Sequence, residues 1–122
     1  MNIEKMIEIG LLFEQYKELL TDKQREIVSL YYEEDYSLGE ISENLGVSRQ
    51  GVYDTLKRSE KILREYENKL HLVAKLKEQE KFLKSIREKI IDIKEDLLHN
   101  RDCADLIPKL ENIEEICREL LK

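Results

Sequence analysis

Apolar residues recur at helical spacing along almost the whole chain, and no stretch shows the strict alternation of a half-buried strand. From Ile3 to about Leu20, the residues Met6, Ile9, Phe13, Tyr16 and Leu20 share one face, with Leu12 and Leu19 beside them. This predicts an amphipathic first helix. Thr21 followed three residues later by Gln24 has the form of a capping box, in which each side chain satisfies an orphan backbone N–H. A second helix is expected over Asp22 to Tyr32, burying Ile27, Leu30 and Tyr31. Glu33 to Tyr36 reads as a loop. Ser37 and Glu40 repeat the capping box and open a short third helix that buries Ile41 and Leu45 and stops at Gly46. Ser48 caps a fourth helix whose inner face holds Val52, Leu56, Leu63 and either Ser59 or Ile62.

The pattern changes near Asn68. Leu72, Leu76, Leu83, Ile86, Ile90, Ile93 and Leu97 fall at alternating intervals of three and four, interrupted only by Gln79, among Lys and Glu. Such a heptad-like seam needs a partner helix. A break is expected at His99-Asn100-Arg101-Asp102. A last helix from about Asp105 to Leu121 carries Leu110, Ile113, Ile116, Cys117, Leu120 and Leu121, with Pro108 in its first turn, where a missing N–H costs little. The expected fold is all-α: a helical module over residues 1–68 followed by long C-terminal helices over 69–122. This last helix covers only about half of the seam, so we expect the remainder to be covered in a homodimer.

The composition supports this reading. The chain has 122 residues, 39% of them charged and 41% apolar, with 4 Gly and 1 Pro. That mixture suits long helices and argues against disorder. No run approaches the roughly 18 apolar residues of a membrane span, and the start lacks a basic segment followed by an apolar run. A cytoplasmic protein without membrane insertion is expected, with Cys103 and Cys117 as reduced thiols used in helix packing. The formal net charge of -6 excludes nucleic-acid coating by bulk charge, though not a local basic face.

The most informative stretch is SLGEISENLGVSRQGVYDTL, residues 37–56. Two short helices that cross closely need a turn residue tolerant of positive φ, and Gly46 provides it. They need a small residue at the crossing, Ser42, and an apolar anchor in the second helix, Val52. Together these describe a helix-turn-helix over about residues 37–58. Its second helix would then meet base edges with its N-terminal residues. The exposed candidates are Ser48, Arg49, Gln50, Tyr53, Lys57 and Arg58, with Asp54 among them. Arginine can pair bidentately with guanine and glutamine with adenine, and Ser48 at the helix N-terminus can hold a phosphate. Residues 49–64 contain five basic and two acidic side chains, a local +3. The plain alternative is a solvated charged face. Two observations favour that alternative: Asp54 would face phosphate repulsion, and residues 1–70 carry ten basic against fifteen acidic residues.

With Arg25, Ile27 and Leu30 ahead of SLGEISENLGVSRQGVYDTLKRSEKIL, the stretch from Leu20 to Leu63 resembles region 4 of bacterial sigma factors, which binds the promoter -35 element. Tyr53 and Asp54 stand where sigma recognition helices tend to carry Arg and Gln. Over essentially its full length, including EIGLLFEQYKELLTDKQREIVSLYYEEDYSL, the chain is similar to the YlxM-type helix-turn-helix proteins. That resemblance implies a regulatory or accessory role in the signal recognition particle pathway. Double-stranded DNA is the partner expected first. The alternative is a protein- or RNA-interaction module acting on the signal recognition particle GTPase or RNA.

Other chemistry finds no foothold. The glycines at 10, 39, 46 and 51 are isolated, so no phosphate-binding loop is formed. His71 and His99 lack partners at metal-ligand spacing, and the carboxylates form no recognisable acid/base pair. No catalytic residue, metal or cofactor is expected.

Overall fold

In a computed structural model, residues 2–99 and 105–122 are described. Among them the chain is all-helical: α1 Ile3–Tyr16, a 3-10 turn Lys17–Leu19, α2 Asp22–Tyr32, α3 Leu38–Leu45, α4 Arg49–Leu70, α5 Leu72–Leu98 and α6 Leu106–Leu120. They form two compact units, residues 1–73 and 74–122. The expected break at 99–102 and the packing role of Cys103 lie largely outside the described residues.

The local signals work as their hydrogen bonds require. The Gln24 N–H donates to Thr21 Oγ1 while the Thr21 N–H donates to Gln24 Oε1. Ser37 and Glu40 do the same for α3. Gly46 adopts φ +68 at the end of α3, a conformation that costs a residue with a Cβ. The Ser42 hydroxyl donates to the Val47 carbonyl at 2.5 Å and ties the turn to α3. Ser48 Oγ accepts from the Gly51 N–H, so Gly51 sits in the first turn of α4 and not in its interior.

In unit 1, α4 is the central element and touches α1, α2 and α3. Its buried face is Val52, Leu56, Ser59 and Leu63, and it packs with Ile9, Leu12, Phe13 and Tyr16 of α1, Ile27 and Val28 of α2, and Ile41 of α3. Ser59 satisfies its hydroxyl on the Thr55 carbonyl at 2.7 Å.

Two expectations are corrected here. The first helix stops at Tyr16, because the chain tightens into the 3-10 turn before α2, and Leu19 is left exposed. Arg25 holds that turn by donating to the Lys17 and Leu20 carbonyls at 3.0 and 3.2 Å. In α2, Val28 is fully buried while Leu30 and Tyr31 are only half-buried, since the core contacts fall on the Ile27–Val28 side. The fourth helix runs on to Leu70 and does not continue into the heptad segment. His71, with φ 55, breaks the path in the left-handed region.

That break is fastened to α1. The Tyr16 hydroxyl donates to Glu67 Oε1 at 2.5 Å and accepts from the Leu72 N–H at 3.1 Å. Glu67 Oε1 also accepts from the Val73 N–H at 3.0 Å. The first amides of α5 are therefore satisfied by side chains of α1 and α4. Burial, together with the hydrogen bond to Glu67, raises the Tyr16 phenol above its ordinary value, so it stays protonated through the neutral range. Tyr16→Phe removes the donor to the Glu67 carboxylate and the acceptor of the part-buried Leu72 N–H. Urea unfolding should show a loss of about 1–3 kcal/mol; an unchanged midpoint and slope would mean that this junction contributes nothing to stability.

In unit 2, α5 and α6 run antiparallel. Lys109 bonds Asp96 at 2.7 Å near one end, and Gln79, Phe82 and Leu120 share a crevice of about 130 Å³ near the other. The α6 residues turned inward are Leu106, Lys109, Ile113, Ile116 and Leu120. Cys117 is an exposed free thiol, not a packed one, because its neighbours Ile116 and Leu120 take the α5-facing positions. Leu110 and Leu121 are exposed for the same reason.

Candidate nucleic-acid interface

The face of α4 opposite its buried stripe begins at the Ser48 cap. The buried residues Val52, Leu56, Ser59 and Leu63 repeat at intervals of four, three and four, and define one arc of the helix. Arg49, Gln50, Tyr53, Asp54, Lys57, Arg58 and Lys61 fall on the remaining arc, and all are exposed. The structure thus brings every residue named from the sequence onto one surface, at the N-terminal end of the second helix of the helix-turn-helix. Gly46 and the Ser42–Val47 bond fix the angle at which this helix leaves the turn.

Their free state is not uniform. The Gln50 side-chain amide donates to Asp54 Oδ1 at 2.9 Å, so it would have to be released before it could read a base. Lys57 lies over the Tyr53 ring, 5.5 Å from its centroid, and 3.6 Å from Glu60 Oε2. Among the described residues, Arg49, Arg58 and Lys61 make no such bond, so they are the free cations of this face. Lys61 was not among the candidates named from the sequence; its spacing of four from Lys57 is the signal that could have placed it with them.

Counting Glu60 against the basic run proves misleading. Glu60 is 4% exposed and lies beneath the surface. It accepts from the Tyr32 hydroxyl and pairs with Lys5 at 3.3 Å and with Lys57. A buried carboxylate needs such partners. Burial, reinforced by the bond to Glu60, pushes the Tyr32 phenol well above its ordinary value. Arg64 is likewise paired, with Glu8 at 3.2 Å. The exposed balance of the face is therefore Arg49, Lys57, Arg58 and Lys61 against Asp54.

Tyr31 and Tyr32 pack edge to face, with centroids 5.0 Å apart. Tyr31 and Tyr36 line an open groove of about 420 Å³ with Met6 and Leu38, beside the helix-turn-helix. Tyr53 remains the exposed tyrosine of α4. Among the described residues, no three His, Cys, Asp or Glu side chains converge where a metal could be held, and no helix is long and apolar enough to cross a membrane.

Comparison with known proteins places this geometry in context. Residues 3–102 match the family model described as "Putative helix-turn-helix protein, YlxM / p13 like". The chain is similar to the UPF0122 protein of Bacillus pumilus, 43% identical over 114 residues that cover 93% of this chain and 100% of that protein. It is also similar to the UPF0122 protein of Limosilactobacillus reuteri, 45% identical over 94% of this chain and 99% of the other. With that of Streptococcus gordonii, it shares 53% identity over 73% of this chain and 81% of the other.

Proposed function

Since the chain belongs to the YlxM/p13-like helix-turn-helix family, we propose that it is a cytoplasmic regulatory protein that binds double-stranded DNA through α4, acts without catalysis and works as a homodimer. In this reading residues 1–68 hold the nucleic-acid module and residues 69–122 the assembly segment. Ser48, Arg49, Gln50, Tyr53, Lys57 and Arg58 make the contacts. The observation that carries the reading is the exposed arc of α4, where four cations and one carboxylate stand opposite the buried stripe and next to a capped helix N-terminus. Arg49 and Arg58 reach phosphate or guanine without first breaking an ion pair, and the amides of the first turn of α4 suit a phosphate. The resemblance to sigma region 4 supports a duplex ligand.

A second reading rests on a specific observation. Gln50 and Lys57 are already engaged, by Asp54 and by Glu60, and residues 1–70 are acidic in sum. A face of this kind also suits an RNA or protein partner. The YlxM resemblance then points to the signal recognition particle, its RNA or its GTPase.

A fluorescence-anisotropy titration with labelled random duplex DNA and with signal recognition particle RNA, across a salt series, separates the two. Duplex binding should weaken with salt, with a logarithmic slope of about -3 to -4 if each exposed cation neutralises one phosphate. Binding of the RNA alone would favour the second reading. Failure of duplex DNA to bind at low salt would sink the first.

A further inference from the structure

Most of the exposed large apolar side chains of the α5–α6 hairpin lie along one side, Ile91 and Leu98 excepted. On α5, Leu76, Leu83, Ile90 and Leu97 repeat every seven residues and are 46–58% exposed. On α6, the exposed residues are Ile107, Leu110, Cys117 and Leu121. Their register decides where the two stripes lie. Leu83, Ile90 and Leu97 each directly follow a half-buried residue on the α6 side: Phe82, Lys89 and Asp96. Ile107, Leu110, Cys117 and Leu121 each directly follow an α5-facing residue: Leu106, Lys109, Ile116 and Leu120. One residue is the same rotation about either helix axis. Because the helices are antiparallel and face each other, equal rotations about their own directions bring both stripes to the same side of the hairpin.

We infer that this face is the surface on which a second copy of the chain docks, hairpin on hairpin, to form a four-helix bundle. This inference names the surface behind the homodimer reading above and is independent of nucleic-acid binding. Three observations single out a second copy. The face is two helices wide, which a second two-helix hairpin covers fully and a lone helix does not. Its size is adequate: α5 is roughly 40 Å long and α6 roughly 22 Å, each about 10 Å across, so the flat footprint is about 600 Å² before side-chain relief is counted. A standard interface buries about 800 Å² of accessible surface per partner. The charge distribution also favours a two-fold pairing. The end built from residues 75–84 and 114–122 has six basic and five acidic residues, whereas the end built from 85–98 and 105–113 has four basic and six acidic. Antiparallel docking of two copies sets the near-neutral end of one on the acidic end of the other, whereas parallel docking stacks the two acidic ends. A two-fold axis also makes the same patch serve both partners.

Sedimentation velocity of the full chain, from micromolar to submillimolar concentration, tests this with two double variants. Leu83→Glu/Ile90→Glu places charges on the face; Ile3→Glu/Ile7→Glu places them on exposed apolar positions of α1. The wild type and the α1 variant should be dimers. The face variant should be a helical monomer by circular dichroism, with dissociation constant raised at least about 100-fold. If the glutamate variant loses helicity, Leu83→Gln/Ile90→Gln takes its place. Hydrogen exchange of the wild type should then show protection of residues 76–97 fading on dilution. A monomeric wild type at every concentration overturns both this inference and the homodimer reading, and leaves the face to another protein. A dimer that survives the face substitutions overturns this surface alone and leaves the homodimer reading standing.

Discussion

Duplex DNA should bind at least about 100-fold more weakly when Arg49, Lys57 and Arg58 are replaced together by alanine, and the salt slope should shrink by roughly two to three. Arg49 and Arg58 are exposed and make no ion pair with a described residue, so each meets a phosphate or base without first breaking one. Lys57 differs, because part of its charge answers the buried Glu60. Its removal should reduce affinity less than that of either arginine, and it should also cost some stability by leaving Glu60 to Lys5 and Tyr32. Asp54→Asn provides the opposite sign. It removes a carboxylate from the face and loosens the hold on Gln50, so affinity should rise. Anisotropy titrations of the wild type, the triple variant, its three single alanine variants and Asp54→Asn at two salt concentrations measure the affinities, and urea unfolding of Lys57→Ala measures the stability cost. Equal affinity of the triple variant and the wild type would rule out α4 as the interface.

Leu63→Ala should destabilise unit 1 by about 2–5 kcal/mol, as measured by urea unfolding. Leu63 is fully buried in the core cluster on α4, the helix that α1, α2 and α3 all touch, so its truncation opens a cavity inside that core. A module of some 70 residues has little stability to spare, of the order of 5–10 kcal/mol. The loss could therefore be half of the total. Leu19→Ala makes the contrast. Leu19 is 51% exposed, and its truncation should stay within about 1 kcal/mol. Equal costs at the two positions would contradict the core described here.

Much of the local architecture was legible. The capping boxes at Thr21–Gln24 and Ser37–Glu40, the left-handed Gly46 and the Ser48 cap all act within about four residues, and helix ends depend on such short-range bonds. The buried stripe of α4 followed from its spacing. With that stripe fixed, the exposure of Arg49, Gln50, Tyr53, Lys57 and Arg58 followed as well.

Long-range contacts decided the rest. Glu60 looked like an ordinary surface charge, yet Lys5 and Tyr32, distant in sequence, supply the partners that make its burial tolerable. The change of pattern near Asn68 announces a boundary, but nothing at His71 itself shows what holds a helix break there. It is the Tyr16 hydroxyl and the Glu67 carboxylate, brought together across 51 residues, that satisfy the amides freed there. In the C-terminal unit the periodicity announced a seam, but a period cannot say which neighbour fills it. The antiparallel seating of α6 assigns Phe82 and Ile86 to the hairpin and leaves Leu83 and Ile90 outward. The sequence by itself determined where helices start, where most of them stop and which face of α4 is apolar, because those properties are set by bonds and spacings within a few residues. The tertiary structure alone decided which charges are free and which apolar faces stay uncovered, because both depend on what lies opposite in space.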